Sequence, residues 1–265
     1  MNPFDYRRVR DLPEAVQALR ADPEAKLLAG GQSLLAAMRL GLCAPTQLLD
    51  LQDIPALHQL EEKDGGLWIG AMCTHAQIAA SPTVQTVAPM LARLASGIAD
   101  AQVRNRGTVG GSVSNADPAA CWPAGLLAAA AVMHTDRRRI AVDDFFTGLF
   151  STALEGDEVL CGIWVPRVPR ACYLKFEQPA SRFALTGVAV NATADGVRVA
   201  VTGLGYGVRR FADAEAALQR QFSGAALQGI HLHADEASGD LHASAAYRAH
   251  LAGVLTRRAV AALVG

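Results

Sequence analysis

The sequence predicts an α+β protein with three consecutive lobes, on the basis of three patterns. Helical and strand-like apolar runs alternate around a Gly-Gly pair near the N-terminus, the middle of the chain mixes both types, and the last third has successive strand patterns followed by helices. We place the lobes at residues 1–56, 57–168 and 169–265. We expect a small α/β lobe and a larger α+β lobe that together form one two-lobed domain. A C-terminal three-stranded antiparallel sheet with helices follows.

Apolar periodicity defines the elements of the first lobe. The patterns predict a helix at 13–20, a strand at 25–30, a helix at 33–41 and a strand at 47–51. Pro13 suits the first position of a helix. The strand runs directly into Gly30-Gly31. Ser33 and Gly41 are typical start and stop residues, and they delimit the second helix.

The middle lobe alternates less regularly. Within 65–81, the patterns predict a strand and then a helix that starts near Thr74, and a second helix follows over 84–99. A helix and then a strand are predicted over 123–135. A hairpin strand within 138–146 and a strand over 158–166 complete the lobe. The run Arg137-Arg138-Arg139 is interpreted as a solvated hairpin tip.

The third lobe begins after Pro169. Three strand patterns lie within 171–205, with a turn at Ala194-Asp195-Gly196 between the second and the third. Helical patterns cover 213–222 and 244–263. This order predicts an antiparallel sheet covered by helices.

Composition limits the classes of function. The chain has 265 residues, of which 51% are apolar and 18% charged, and its formal net charge is −1. Nucleic acid is not an expected partner, because binding it requires a concentrated basic face. No apolar run reaches the roughly 20 residues that cross a bilayer, and the N-terminus lacks an apolar signal region. We therefore expect no membrane span and a cytoplasmic protein.

The cysteines and histidines do not predict a metal centre. The five cysteines are widely spaced and form no C-x-x-C pair, so an iron–sulfur or zinc site within this chain is not expected. They are interpreted as free thiols in a reducing compartment. His231, His233 and His242 cluster on a predicted loop, where we predict no metal.

Two Gly-Gly pairs carry the functional signal. Gly30-Gly31 is followed by Gln32 and Ser33, and Gly110-Gly111 lies between Thr108 and Ser112. Glycine allows the backbone to approach a ligand closely, and successive N–H groups near a helix start bind anions. Each pair alone could be a simple turn. Two pairs on neighbouring lobes predict a cleft that holds one extended diphosphate ligand from both sides.

The segments around these pairs carry a family resemblance. Residues 27–41 (LLAGGQSLLAAMRLG) and 99–120 (ADAQVRNRGTVGGSVSNADPAA) resemble the two FAD-binding motifs of the molybdenum hydroxylase flavoprotein subunit, the medium chain of the xanthine dehydrogenase and carbon monoxide dehydrogenase type. Similar segments follow in order along nearly the whole chain. The resemblance implies that the first two lobes form an FAD-binding domain with FAD between them, and that the third lobe is the C-terminal flavoprotein domain.

The resemblance also implies the cofactor-binding residues. Those for the FAD pyrophosphate and ribityl chain are Ala29, Gly30, Gly31, Gln32, Ser33 and Leu34 in the first motif, and Thr108, Gly110, Gly111, Ser112, Asn115 and Asp117 in the second. Leu160 and Lys175 match positions close to the flavin. Lys26 could meet the diphosphate or adenosine end, or simply be a solvated lysine before a strand. No catalytic acid–base residue and no metal ligand is implied.

The chain departs from the family pattern at two points. Cys121-Trp122 stands where the family commonly has an Asp or Glu followed by Leu. A thiol is a weak hydrogen-bond acceptor, so the substitution at Cys121 predicts weaker FAD binding. Arg182 stands where an acidic residue is usual. A cation near the flavin would favour the anionic reduced form.

The resemblance implies a role in electron transfer. A molybdopterin-binding large subunit would oxidise the substrate, and a small subunit with 2Fe-2S clusters would pass electrons to FAD on this chain. A small-molecule or protein acceptor, such as NAD, a quinone, a cytochrome or oxygen, would then receive them. The expected assembly is a heterotrimer, often doubled. Two alternatives remain open: a stand-alone FAD oxidoreductase, and a structural subunit that has lost FAD.

Overall fold

The first lobe is built on a three-stranded parallel sheet in the computed structural model, which describes residues 2–193 and 195–264. Its elements are β1 (Asp5–Arg8), α1 (Leu12–Ala21), β2 (Lys26–Leu28), α2 (Leu34–Arg39) and β3 (Gln47–Asp50). The strand order is β1-β3-β2. The four predicted elements are present. Strand β1 is absent from the prediction because its sequence, DYRR, is polar and exposed.

The middle lobe packs helices against a five-stranded antiparallel sheet of order β4-β5-β10-β6-β7. Its strands are β4 (Leu60–Lys63), β5 (Gly66–Gly70), β6 (Val132–Thr135), β7 (Arg139–Ala141) and β10 (Leu160–Pro166), with a separate hairpin of β8 (Phe146–Gly148) and β9 (Ser151–Thr152). Its helices are α3 (His75–Ala80), α4 (Pro82–Val87), α5 (Pro89–Ser96), α6 (Ala101–Arg106), α7 (Val109–Asn115), α8 (Cys121–Ala128) and α9 (Val142–Phe145). A short 3-10 helix, Pro55–His58, precedes β4.

The single helix predicted over 84–99 is wrong. The chain forms α4 and α5 instead, and Ala88 between them has a φ of −144° and a ψ of 63°. The cause is Pro89, which has no N–H to donate and disfavours a helical residue before it. Pro89 therefore starts a new helix at its first position, where proline is well tolerated.

The interpretation of Arg137-Arg138-Arg139 as a solvated hairpin tip is confirmed, because all three residues are exposed at the turn between β6 and β7. Two of them also form ion pairs, which the sequence does not predict. Arg138 Nη2 lies 2.7 Å from Oε2 of Glu158, whose side chain is fully buried. Arg137 Nη2 lies 3.0 Å from Asp157 Oδ2. The same carboxylate pairs with Arg20 of α1, so this hairpin tip links the middle lobe to the first one.

The third lobe has a four-stranded antiparallel sheet of order β11-β12-β13-β14, where three strands are predicted. Its elements are β11 (Ala171–Glu177), β12 (Ala184–Thr193), β13 (Gly196–Thr202), β14 (Arg209–Arg210), α10 (Ala212–Arg220), α11 (Ala245–Val264) and two 3-10 helices, Ala225–Leu227 and Ala234–Glu236. The additional strand β14 has two residues, too few to show an alternating pattern. The turn predicted at 194–196 includes Ala194, which lies outside the described residues.

Both faces of the third sheet are covered. One face packs Val188, Val190 and other apolar side chains against α10 and α11. On the other face, Ala189 and Ala200 join the apolar core of the middle lobe. Strand β12 is accordingly buried along most of its length, as expected for a strand with apolar neighbours on both sides. No helix in the described part of the chain is long and apolar enough to cross a membrane.

Candidate cofactor site

The first glycine loop, residues 29–33, leaves the end of β2 and leads into α2. Gly31 has a φ of +72°, in the left-handed region that favours glycine. Within residues 2–193 and 195–264, the N–H groups of residues 31–34 donate to no main-chain or side-chain acceptor, and the Ser33 side chain forms no helix cap. Four successive free donors are suited to bind an anion.

The second glycine segment, residues 107–117, is mostly helix α7. Thr108 caps this helix, because its Oγ1 accepts a hydrogen bond of 3.1 Å from the Gly111 N–H. The Gly110 N–H donates to the carbonyl oxygen of Ala71, and a Cβ atom on Gly110 would lie 2.5 Å from the Ala71 Cβ. Gly110 is therefore required for packing of α7 against the residue after β5.

The two glycine motifs lie side by side. A Cβ atom on Gly111 would lie 3.4 Å from the Ala29 Cβ, an ordinary van der Waals contact. A Cβ atom on Gly30 would lie 2.1 Å from the carbonyl oxygen of Arg106, which real side chains do not tolerate. The first loop thus packs against the backbone just before the second segment, and the fold brings the two predicted motifs to one place.

The second segment ends in a sharp turn. Ala116 has a φ of 46° and ends α7 in the left-handed conformation. Asp117 Oδ1 accepts a hydrogen bond of 2.8 Å from the Ala119 N–H, which fixes the turn that follows. Ser112 and Asn115 lie on α7 and are partly exposed. Their polar side chains are therefore partly accessible to solvent.

The third lobe holds the chain that follows this turn. Thr202 Oγ1 lies 2.9 Å from the carbonyl oxygens of both Pro118 and Ala120. The Gly203 N–H donates to the same Pro118 oxygen over 2.8 Å. Sequence reasoning missed this contact, because no local pattern near Thr202 indicates a partner more than 80 residues earlier in the chain.

Trp122, one of the departures from the family pattern, is fully buried and faces His75. Its Nε1–H donates a hydrogen bond of 3.1 Å to His75 Nδ1. Burial, assisted by the positive charge of Arg104, lowers the pKa of His75 to about 4. The ring is therefore neutral near pH 7, with Nδ1 as the acceptor and the proton on Nε2. Sequence reasoning did not assign His75 to the site.

Cys121 lies beside Tyr173 and Lys175, and burial raises the pKa of its thiol. The Tyr173 hydroxyl is buried and finds no hydrogen-bond partner in the described chain. Lys175 Nζ donates to the carbonyl oxygen of Gly97 over 2.7 Å and to that of Arg182. The predicted flavin-side lysine is thus held by two main-chain carbonyls, one of them on the other departure residue.

The two remaining predicted residues, Leu160 and Lys26, have different surroundings. Leu160 is the first residue of β10 and is buried in the same apolar core as Val109. Lys26 begins β2, at the opposite end of the strand from the first glycine loop, and is exposed. Among the residues that the structure describes, no three His, Cys, Asp or Glu side chains are grouped so that they could hold a metal ion.

The family follows from a comparison of the whole N-terminal part. Residues 2–168 match the model of the FAD binding domain in molybdopterin dehydrogenase. The chain belongs to this family. The resemblance recognised in the two glycine motifs is confirmed, and with it FAD as the cofactor of the domain.

Known relatives of this FAD-binding chain are medium subunits of oxidoreductases. The nicotine 6-hydroxylase medium subunit of Paenarthrobacter nicotinovorans is 36% identical, with 96% of this chain and 95% of the relative covered. The carbon monoxide dehydrogenase medium chain of Hydrogenophaga pseudoflava is 34% identical, with 97% of this chain and 96% of the relative covered. The chain is accordingly an oxidoreductase subunit of the molybdenum hydroxylase family.

Solved structures show the same fold. A chain of carbon monoxide dehydrogenase from Hydrogenophaga pseudoflava superposes with a TM-score of 0.92 at 35% identity, covering 100% of this FAD-binding chain and 99% of its own length. A chain of quinoline 2-oxidoreductase from Pseudomonas putida 86 superposes with a TM-score of 0.91 at 28% identity, covering 99% and 97% respectively. The mixed α+β fold therefore extends over the whole chain.

Proposed function

We propose that this chain is the FAD-carrying electron-transfer subunit of a multi-subunit molybdopterin hydroxylase or dehydrogenase. It would pass electrons from 2Fe-2S clusters on a partner chain, through FAD, to an external acceptor. The observation that carries the proposal is the meeting of the two glycine motifs at Ala29 and Gly111, beside four free N–H donors. An extended diphosphate cofactor needs this combination of closely packed glycine backbone and unpaired donors.

The site residues fit FAD in their chemistry. The N–H groups of residues 31–34 would hold the pyrophosphate without a charged side chain. Ser33 and Ser112 offer hydroxyl groups to the phosphate or ribityl oxygens. Thr108 uses its oxygen as the helix cap, which leaves its hydroxyl proton free to donate.

When bound, FAD supplies redox chemistry that couples one-electron and two-electron partners. The chain itself is proposed to bind and orient the cofactor rather than to move protons. Lys175 and Leu160, at the flavin-side positions of the family, would position the ring region. Neither carries an acid–base role in this proposal. We propose the domain limits 1–56, 57–168 and 169–265 as the two FAD-binding lobes and the C-terminal domain.

Two observations support the proposed partners: the cysteines of this chain do not have the spacing of a cluster-binding set, and the relatives are named medium subunits or medium chains. Its five cysteines are free thiols, and neither spacing nor structure groups them into a cluster-binding set within the described residues. Relatives named medium subunit or medium chain belong to assemblies with other subunits. We propose a molybdopterin-binding large subunit and a 2Fe-2S small subunit as partners, in a cytoplasmic heterotrimer.

The test is a visible spectrum of the purified chain, followed by acid release and quantification of flavin. We expect about one FAD per chain. Ser33→Asp should abolish flavin binding, because a carboxylate would occupy the free N–H donors and repel the pyrophosphate. Ser33→Ala should retain most of it. Gln228→Asp, on an exposed surface of the third lobe, is the matched control for added negative charge.

The outcomes separate the alternatives. A chain that stays colourless after addition of FAD, alone and when co-expressed with its partners, would contradict the proposal and favour a structural subunit. A flavin-loaded monomer that turns over a substrate by itself would favour a stand-alone oxidoreductase. Equal flavin content in the Ser33→Asp and Gln228→Asp variants would contradict the assigned pyrophosphate site.

A further inference from the structure

The start of the second glycine segment is held by a short stretch of chain after β5. The Gly110 N–H donates to Ala71, and the Val109 N–H donates over 3.0 Å to the carbonyl oxygen of Cys73. Thr108 pairs with Thr74 in an isolated antiparallel bridge. Through these backbone contacts, the start of the second segment runs alongside residues 71–75.

His75 makes the last of these backbone contacts. Its N–H donates over 3.0 Å to the carbonyl oxygen of Gly107. Its ring is pressed against the same residue, because a Cβ atom on Gly107 would lie 2.9 Å from His75 Nε2. The position of the imidazole ring therefore decides where the backbone of Gly107 and Thr108 can lie.

One side chain fixes that ring by a directed bond. Trp122 Nε1–H donates to His75 Nδ1, and both residues are buried, with 0% and 4% of their surfaces exposed. The two rings are tilted by 36° with centroids 6.0 Å apart, so the hydrogen bond rather than stacking sets their orientation. Trp122 also begins α8 together with Cys121, directly after the turn that ends the second segment.

We infer that Trp122 and His75 form a positioning pair that fixes the backbone of Gly107 and Thr108 and thereby sets the affinity of the site for FAD. The pair joins both ends of the second segment, since His75 holds its first residue and Trp122 follows its last turn. The inference rests on the proposed function of this segment in FAD binding. Neither side chain needs to touch the cofactor for this role.

The experiment is a double-mutant cycle on the apo chain, with FAD affinity measured by flavin fluorescence titration. Trp122→Phe removes the donor and keeps an aromatic ring. We expect it to weaken FAD binding about tenfold. His75→Leu removes the acceptor and should weaken binding to a similar degree. The double variant should bind no more weakly than His75→Leu alone, because both changes break the same bond.

Two controls separate positioning from general stability. Trp164→Phe removes another Trp hydrogen bond, from Nε1 to the carbonyl oxygen of Lys63 on the outer side of the middle sheet, and should leave FAD affinity within twofold of wild type. His75→Asn retains an acceptor near the Nδ1 position and should restore affinity to within about threefold. Amide hydrogen exchange should accelerate at residues 107–111 in Trp122→Phe, with the third lobe unchanged.

Three results would overturn the inference: wild-type affinity in Trp122→Phe, losses that multiply in the double variant, or His75→Asn binding as weakly as His75→Leu. If Trp122→Phe does not fold, the comparison of His75→Asn with His75→Leu decides alone. Failure of the wild-type chain to bind FAD would instead contradict the proposed function, so the two proposals fail in different ways.

Discussion

The carbonyl oxygen of Arg106 occupies the space that a side chain on Gly30 would need, at 2.1 Å from the Cβ position. This contact joins the first lobe to the middle lobe at the proposed cofactor site. Gly30→Ala should force the two glycine motifs apart, with a loss of roughly 1–3 kcal/mol in unfolding free energy and a larger relative loss of FAD affinity. Urea unfolding and flavin titration measure the two effects.

The matched control for this prediction is Gly156→Ala. Gly156 lies in an exposed loop, and a Cβ atom there would meet nothing within 4 Å. This variant should differ from wild type by no more than about 0.5 kcal/mol. If Gly30→Ala behaves like Gly156→Ala, the close approach of the two lobes is not required for the site.

Acid should destabilise the chain through His75. Its pKa is lowered from 6.5 to about 4, so the unfolded state binds this proton more readily than the folded state between those values. The stability that His75 contributes is complete above pH 6.5 and is lost as the pH falls. The loss reaches roughly 3 kcal/mol near pH 4, at about 1.4 kcal/mol per pH unit.

This pH effect is measured as the difference between wild type and His75→Asn in urea unfolding from pH 7 to 4. Asparagine does not titrate, whereas every carboxylate titrates in both proteins. We therefore expect the difference to grow toward low pH in favour of His75→Asn. A difference that stays constant with pH would show that His75 is not buried in its neutral form.

Thr202 should stabilise the turn after the second glycine segment. Thr202→Val keeps the shape of the side chain and leaves the carbonyl oxygens of Pro118 and Ala120 without this donor. We expect a loss of about 1–2 kcal/mol in unfolding free energy and faster FAD release in stopped-flow experiments. Thr256→Val, which removes a bond inside helix α11, should not change FAD release. Equal release rates in the two variants would contradict this prediction.

The fold should tolerate an aspartate at position 121. Cys121→Asp would place an acceptor beside the unpaired Tyr173 hydroxyl and the Lys175 ammonium group. If the weakly accepting thiol of Cys121 lowers FAD affinity, that affinity should rise severalfold in Cys121→Asp. Cys121→Ser should stay close to wild type. Flavin titration of the three proteins checks this. Weaker binding in Cys121→Asp would indicate that the thiol is adapted to this chain.

Strong local patterns made most of the fold predictable. Helix α11 has a long helical pattern and helix α1 has a proline in its first turn, and the predicted ends of both agree with the observed ends to within about two residues. Strand β14 has two residues and α6 is short and polar, so neither presents a period that can be recognised. Pro89 shows the reverse case, in which a clear break signal was outweighed by the continuous apolar pattern around it.

The site was predictable only where its chemistry is local. The glycine pairs are visible in sequence because close backbone approach requires glycine itself. The bond from Trp122 to His75 spans 47 residues and that from Thr202 to Pro118 spans 84. No short-range pattern encodes such contacts, since they depend on how the lobes pack. The unusual Trp122 was visible as a departure, but its partner was not.

The bond from Thr202 to the turn after the second glycine segment has a consequence for biosynthesis. A growing chain emerges from the ribosome N-terminus first, so both glycine motifs are made well before β13. The turn next to them cannot reach its final conformation until that strand has been synthesised and paired. We therefore expect FAD to bind only after the third lobe has been translated. A chain that carries FAD would then be one in which β13 has already been synthesised and has folded.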